Sequence, residues 1–285
     1  MIIVNVNSQL GNQMFQYALY RKLLYLGKKV KLDTRYYQAK PEQFALDIFN
    51  LKLNIASEKE ILKARDEYRS YADRLRRKFL GKRKTIFEEI TSKSLCFKPE
   101  VFTLKNAYVD GYRQSEKYFK DIRDILLNDF TFPPLQEEKN KQLMDLIRQN
   151  LSVSIHIRRG DYANGFPLLP KEYYQAAMQY FKDKYKAVFF VVFSNDITWA
   201  KENITFEKGI FVDWNTGRNS YKDMYLMSQC RHNIIANSSF SWWGAWLNRN
   251  ENKEVIAPNI WLFHQETPDI YCEGWKILSI QATIL

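Results

Sequence analysis

Val188-Phe189-Phe190-Val191-Val192-Phe193 is an unbroken apolar run. A strand turns alternate side chains to opposite faces, and here neither face carries a group that could meet water. Such a strand has to be covered on both sides, as a central strand of a parallel sheet is by its helices. The surrounding pattern agrees. Ser152 to Ile157 reads as a strand and Lys171 to Lys182 as a helix with Tyr174, Ala177, Met178 and Phe181 inward. Trp199 to Asn203 is a short helix, Gly209 to Val212 a strand, Tyr221 to Cys230 a helix, Asn233 to Ala236 a strand and Phe240 to Leu247 a helix. Val255-Ile256-Ala257, followed by Pro258, is expected to close this sheet.

The N-terminal half repeats the theme. Ile2 to Val6 is a buried strand, Ser8 to Asn12 a turn, and Phe15, Ala18, Leu19, Leu23 and Leu26 a helical stripe that Gly27 ends; Lys29 to Asp33 is the next strand. Ser57 to Lys84 is charged and mostly helical in pattern, and Tyr108 to Tyr112 a short strand and turn. Ser115 is positioned to cap a helix through Tyr118, Phe119, Ile122, Ile125 and Leu126. Phe132-Pro133-Pro134 and a helix from Leu135 to Gln149 mark a boundary. The expectation is an α/β protein of two Rossmann-like domains facing a cleft, residues 1–134 and 135–285.

With 285 residues the chain buries enough surface to need no staple, and its three cysteines, Cys96, Cys230 and Cys272, are an odd count without a C-x-x-C pair. A reducing, cytoplasmic compartment is expected. The longest charge-free run, Met1 to Tyr20, is broken by Asn5, Asn7, Ser8, Gln9, Asn12, Gln13 and Gln16, so neither a membrane span nor a signal peptide is read there.

The net charge of +11 is lopsided: residues 1–150 hold 29 Lys/Arg against 19 Asp/Glu, residues 151–285 only 14 against 13. Seven of the eleven residues from Arg74 to Lys84 are basic and none is acidic. A solvated helix end would suffice. The same run would make a cationic face for anionic lipid or a pyrophosphate-linked acceptor, with Leu75, Phe79 and Leu80 as apolar contacts, placing the protein peripherally on the inner face of the cytoplasmic membrane. No zinc finger, RNP-type strand or helix-turn-helix pattern accompanies it, so nucleic acid is not expected.

Three constellations could carry chemistry. His156-Ile157-Arg158-Arg159-Gly160-Asp161-Tyr162 leaves a strand at its carboxyl end, where open α/β sheets bind ligands, and two adjacent guanidiniums there suit phosphate. An Arg–Asp pair that merely turns the chain would use the same residues. Asn237-Ser238-Ser239-Phe240-Ser241 enters a helix and offers hydroxyls and backbone N–H groups to an anion; Trp242, Trp243 and Trp246 behind it read as core. Asp196, after the apolar strand, could accept from guanine N1–H and the 2-amino group, or simply cap a helix. There is no G-x-x-x-x-G-K-[ST], G-x-G-x-x-G or Asp-x-Asp, and His156, His232 and His264 lie far apart, so no metal site is signalled. His232 reads as structural.

The segments LGNQMFQYA (Leu10 to Ala18), DGYRQSEKYF (Asp110 to Phe119), HIRRGDY (His156 to Tyr162), DWNTG (Asp213 to Gly217) and NIIANSSFSWWGAWL (Asn233 to Leu247) resemble, in this order, the α-1,2-fucosyltransferases of glycosyltransferase family 11 in a bacterial soluble form. The H-x-R-R-x-D element alone is shared with other fucosyltransferases. The resemblance implies a GT-B fold and metal-independent, inverting transfer of fucose from GDP-β-L-fucose to O2 of a terminal β-galactose, in a glycan of the cell surface such as a lipid-linked O-antigen unit. It implies donor binding by the C-terminal half and acceptor binding mainly by the N-terminal half. Arg158 resembles the donor-phosphate ligand, with Asp161 and His156 as catalytic or structural companions and Arg159 beside them. Ser238, Ser239, Phe240 and Ser241 resemble the far wall of the pocket, Asp196 the guanine-binding acid, and Gly11, Asn12 and Gln13 the loop facing the transferring sugar. Asp110, Tyr112 and Arg113 fall on the acceptor side. Asp161 is the expected base, with Asp110 behind it. The chain departs from the family pattern at Ser8-Gln9, where Gly-Gly is usual, at Asn195, which leaves Asp196 the only acid after its strand, and at Arg113, where an aromatic is common.

Overall fold

The computed structural model describes residues 1–88, 96–161, 165–263 and 267–279. The expected residues His264 and Tyr162 lie outside these. Two compact units form, Met1–Thr131 with Pro268–Ile270, and Phe132–Thr267 with Tyr271–Leu285.

In the first unit β1 (Ile2–Asn5) leads into α1 (Leu10–Tyr25) and β2 (Val30–Asp33), followed by α2 (Glu58–Ala64), α3 (Tyr71–Leu80), β3 (Ile86–Phe87), β4 (Ala107–Val109) and α4 (Arg123–Asp129). The strands make one parallel sheet in the order β2-β1-β4-β3. α1 is buried on several sides, through Met14, Phe15, Ala18, Leu19 and Leu23 but also Gln13, Gln16 and Lys22. Leu26, expected on its stripe, is exposed instead.

The second unit contains α5 (Glu138–Gln149), β5 (Ser152–Ile157), α6 (Lys171–Lys184), β6 (Phe189–Ser194), α7 (Ile197–Asn203) and β7 (Gly209–Val212). After these come α8 (Tyr221–Gln229), β8 (His232–Ile234), α9 (Ser239–Trp246), β9 (Val255–Pro258) and β10 (Lys276–Leu278). All six strands are parallel, in the order β10-β9-β8-β5-β6-β7. The apolar run, expected as a central strand, is an interior one between β5 and β7, a single strand in from the edge. Phe190 and Val192 pack with Tyr174, Ala177 and Phe181 of α6, while Val191 and Phe193 pack with Leu143, Ile147 and Leu226 of α5 and α8. Every residue of β5 is buried, its polar face included. Two residues of that face are satisfied internally: Ser152 Oγ donates to the Ile147 carbonyl and Ser154 Oγ accepts from Asn233 Nδ2.

The chain runs β5 to β6 to β7 in one direction and then returns to lay β8 on the other side of β5. The order therefore reverses between β5 and β8, and the carboxyl ends of strands at such a reversal are where open α/β sheets bind ligands. This α/β architecture, with one parallel sheet in each unit, is the expected class.

Ser57–Lys84 is mostly helical, as expected, in two helices that part at Asp66, whose φ is +57°. Two expectations about elements are corrected. The helix after Ser115 is two 3-10 turns, Glu116–Tyr118 and Lys120–Ile122, ahead of α4; Ser115 still caps, accepting from the Lys117 N–H. β9 does not close the sheet, because β10 pairs beyond it. β3, only two residues long, is held by β4 alone and has no pattern of its own.

Candidate active site

Arg158 and Asp161 occupy the turn that leaves β5 at the reversal point. Arg158 Nη2 donates to Asp161 Oδ2 at 2.6 Å, with 15% of the arginine side chain and 48% of the aspartate side chain exposed. A side chain three residues on can reach back because the turn is built on Asn195, just past the end of β6. Asn195 Oδ1 accepts from the backbone N–H of Arg159 (2.9 Å) and Gly160 (3.4 Å), and its Nδ2 donates to Asp161 Oδ1 (2.9 Å). One amide thus supplies both an acceptor for the turn and a donor for the carboxylate. A Cβ on Gly160 would come within 3.1 Å of that amide. Asn195 is therefore a site residue that no motif singled out; the only signal was its departure from the acidic pattern.

Across the reversal point, α9 begins with Ser238 as its N-cap, the hydroxyl accepting from the Phe240 N–H at 3.4 Å. Ser239 and Phe240 are half-buried, so the first turn keeps backbone N–H groups and the Ser239 hydroxyl at an accessible positive helix end. Trp242, Trp243 and Trp246 lie fully buried beneath, as core.

His156 packs its ring against Phe240, centroids 5.5 Å apart. Burial, with the neighbouring Arg158 charge adding to it, pushes its pKa down to about 3, so the ring is neutral. Its Nδ1 is buried and has no hydrogen-bond partner among the described residues. A neutral imidazole beside Arg158 can orient and exchange a hydrogen bond but brings no charge to an anion.

Other expected residues of this unit are engaged by groups of the protein itself. Arg159 does not form a fork with Arg158: its guanidinium stacks 4.0 Å from the Trp199 ring centroid, and Nη1 points to the Leu169 carbonyl at 3.4 Å. Ser241 is buried, its hydroxyl shared among the Ala236 N–H, the Ala236 carbonyl and the Ser238 carbonyl, so it braces the turn. Asp196 takes the capping alternative, Oδ1 accepting from the Trp199 N–H at 3.1 Å; the carboxylate is only half-buried. His232, as expected, is structural: it stacks on Phe181 and Tyr185, and its Nδ1 accepts from the Glu254 N–H.

A second group missed in the sequence follows β7, where the DWNTG segment meets α8. Trp214 Nε1 and Asn215 Nδ2 donate to Asn140 Oδ1, and Asn215 Nδ2 also donates to Asp223 Oδ1 at 2.8 Å. Burial lifts the Asp223 carboxyl to about 8, the Asn215 amide opposing only in part. It is the described acid furthest from the usual carboxylate range on the upward side. The signal lay in the DWNTG segment itself, whose Trp214 and Asn215 make these bonds.

In the first unit the expected residues collect at the carboxyl end of β4 and the start of α1. Asp110 Oδ1 accepts from Asn5 Nδ2 (2.8 Å) and the Gly111 N–H (3.0 Å), with Asp110 and Tyr112 half-buried. Asn12 donates to Ser8 Oγ and accepts from Gln114 Nε2 at 2.7 Å, with Gly11 buried next to it. Ser8 takes φ +69°, the left-handed region that glycine at this position would enter without strain.

Two of the expected residues here turn inward. Gln13 is completely buried and spends its amide on the Ser8 carbonyl, the Gln43 carbonyl and the Ala45 N–H. Arg113, also completely buried, donates Nη2 to the carbonyls of Phe87 and Asp110 and lies 5.0 Å from the Phe87 ring centroid. It holds the Asp110 loop from behind and does not present itself to an acceptor.

Among the described residues no three or more His, Cys, Asp or Glu side chains gather as metal ligands, and no helix is long and apolar enough to cross a membrane.

Comparison with known proteins agrees with the motif order. An Escherichia coli alpha-1,2-colitosyltransferase is 33% identical over 284 residues, covering 93% of both chains. The Escherichia coli O-antigen biosynthesis glycosyltransferase WbnK is 32% identical over 308 aligned positions, covering 93% of this chain and 96% of its own. The galactoside alpha-(1,2)-fucosyltransferase 1 of Bos taurus is 34% identical over 152 residues, 48% of this chain and 42% of its own. The sequence model of glycosyl transferase family 11 matches residues 1–279, nearly the whole chain, and to that family of glycosyltransferases the protein belongs.

Proposed function

We propose that the protein is an inverting galactoside α-1,2-fucosyltransferase that moves L-fucose from GDP-β-L-fucose to O2 of a terminal β-galactose. The glycan is a cell-surface one, such as a lipid-linked O-antigen unit assembled on the cytoplasmic side of the membrane. The observation that carries this reading is the pairing of Arg158–Asp161 after β5 with the open first turn of α9 after β8. An arginine fork and a helix N-terminus meeting at a sheet reversal point are suited to a pyrophosphate leaving group without a cation.

In this mechanism galactose O2 attacks fucose C1 as the bond from C1 to the β-phosphate oxygen breaks on the opposite face. The O2 proton passes to Asp161, and the negative charge gathering on GDP is met by Arg158, the Ser239 hydroxyl and the α9 N–H groups. A well-placed donor of this kind contributes about 3–4 kcal/mol to the transition state. Asn195 keeps the Asp161 carboxylate turned and the Arg158 turn closed. Asp196 is assigned to the guanine through the side of its carboxylate that does not cap α7. Asp110, Tyr112 and Asn12 are assigned to the acceptor side.

The 33% identity to the colitosyltransferase over 93% of the chain supports a second donor, the GDP derivative of colitose, which is fucose without its 3-hydroxyl. Incubation with each GDP-sugar, with lactose and N-acetyllactosamine as acceptors, in EDTA, tests both. A Fuc-α-1,2-Gal product, assigned by NMR, is expected. Turnover of the 3-deoxy donor alone would replace fucose by colitose, and a different linkage or a requirement for added metal would overturn the mechanism.

A further inference from the structure

The basic segment from Arg74 to Lys84 has no place in the chemistry above, and the structure sorts its charges into two sets. Arg76 and Arg77 turn inward. Arg76 pairs with the buried Asp66, and Arg77 donates to the carbonyls of Asp66 (3.0 Å) and Tyr68 (2.7 Å), while the Arg83 N–H donates to the other Asp66 oxygen at 2.8 Å. This clamp, with Ser70 as N-cap, fastens α3 to the chain that precedes it.

The opposite side of α3 is covered by nothing. At 100° per residue, Arg74, Lys78, Tyr71, Leu75 and Phe79 fall on one arc of about 140°. Exposure agrees: Tyr71 is 82% and Phe79 73% exposed, and no residue of α3 is buried. The Arg74 and Lys78 side chains make no hydrogen bond or ion pair among the described residues, and neither do those of Lys82, Arg83 and Lys84 immediately beyond. Asp73, the one acid of the helix, lies on the inner side beside Ser70.

We propose that α3 and residues 81–84 form an interfacial anchor that lays Tyr71, Leu75 and Phe79 against an anionic phospholipid bilayer, the free cations reaching its headgroups. Apolar side chains at i, i+4 and i+8 with cations along one border fit a surface that is greasy below and negative above. Nucleic acid would engage the cations and could stack on Tyr71 and Phe79, but it offers no continuous apolar layer for all three of Tyr71, Leu75 and Phe79. The inference is independent of the donor and the acceptor, since it uses no residue of the catalytic machinery.

Flotation of the full chain with vesicles of phosphatidylcholine and phosphatidylglycerol, against phosphatidylcholine alone, tests it. Binding is expected only to the anionic vesicles and should weaken as salt rises. A Leu75→Glu/Phe79→Glu variant and an Arg74→Glu/Lys78→Glu variant should each lose binding at least tenfold while transferring sugar to a soluble acceptor at the wild-type rate. Circular dichroism shows whether each variant keeps its fold, and the milder Leu75→Ala/Phe79→Ala form replaces any that does not. No binding to anionic vesicles would overturn the proposal. So would binding that survives loss of both apolar residues, or displacement from vesicles by RNA with the apolar variant still holding RNA.

Discussion

Replacing Asn195 tests whether one amide organises the reacting turn. In Asn195→Ala three contacts vanish together: the acceptor for the Arg159 and Gly160 N–H groups and the donor to Asp161. A hydrogen bond to a charged group contributes about 1.5–3 kcal/mol when shielded, and a backbone one about 1 kcal/mol. Asp161 is half open to water, so about 1–2 kcal/mol in all is a fair reckoning for this site. That energy appears as misplacement of Asp161 and Arg158, hence a fall of about 5- to 30-fold in kcat/KM for the donor.

Asn195→Asp separates the two functions of the amide. It keeps an oxygen for the turn but sets a second carboxylate against Asp161, a repulsion of about 1–2 kcal/mol at this exposure. Taking up one proton restores a donor at position 195, so the deficit relative to wild type should shrink as pH falls from 8 towards 5. Of the facing groups, Arg158 and Asp196 are common to wild type and both variants, and His156, its pKa pushed down to about 3 by burial, is neutral across the range. GDP release followed across pH for wild type and both variants is the assay. An Asn195→Ala enzyme within twofold of wild type, or an Asn195→Asp deficit that does not change with pH, would refute the reasoning.

Arg158→Ala should lower kcat by about a hundredfold or more with the fold intact, and Arg158→Lys, which keeps charge but loses the fork, should fall between; retention of more than a tenth of activity by the alanine variant ends the assigned role. Asp223 holds its proton up to about pH 8 when folded but ionises near 3.8 when unfolded, so between those values the native state binds more protons and its stability declines as pH rises. Asp223→Asn should therefore match wild type near pH 4 and be more stable by at least about 1 kcal/mol near pH 8, seen as diverging melting temperatures; parallel profiles would exclude it. Gly209→Ala places a Cβ 2.3 Å from the Phe190 carbonyl oxygen on the paired strand and 2.8 Å from the Phe206 ring, which should cost about 2–3 kcal/mol and lower Tm by about 5 °C or more. An unchanged Tm would mean that β6 and β7 yield locally.

Much of the site was legible because its residues sit at fixed points of a βα unit. Arg158 and Asp161 follow a strand whose alternation is plain, and Ser238–Phe240 stand between a strand and a helix with a recognisable cap. What could not be read is which polar side chain turns in and which out. Gln13, Arg113 and Ser241 look in sequence like Asn12, Tyr112 and Ser239, yet the first three are consumed by backbone groups. Arg159, adjacent to Arg158, is drawn off by the Trp199 ring. For Gln13, Arg113 and Arg159 the choice depends on partners 26 to 40 residues away, which local periodicity does not register; for Ser241 it depends on the backbone turn five residues back.

Hydrophobic periodicity and strand-turn-helix punctuation are local properties, and they determined the α/β class, the apolar central strand and the helix entries at the sheet's carboxyl edge. Strand order, the reversal between β5 and β8 and the edge strands β3 and β10 were decided only in three dimensions, because pairing partners compete over long loops. The same holds for Asn195. Its role exists because parallel pairing in register brings the end of β6 beside the end of β5, with Ile157 opposite Ser194, so that an amide one residue further reaches Arg159, Gly160 and Asp161. The sorting of the basic segment into clamped and free charges follows likewise from Asp66, buried by the turn between α2 and α3. A buried carboxylate takes whatever cations can reach it, and reach is a property of the folded chain.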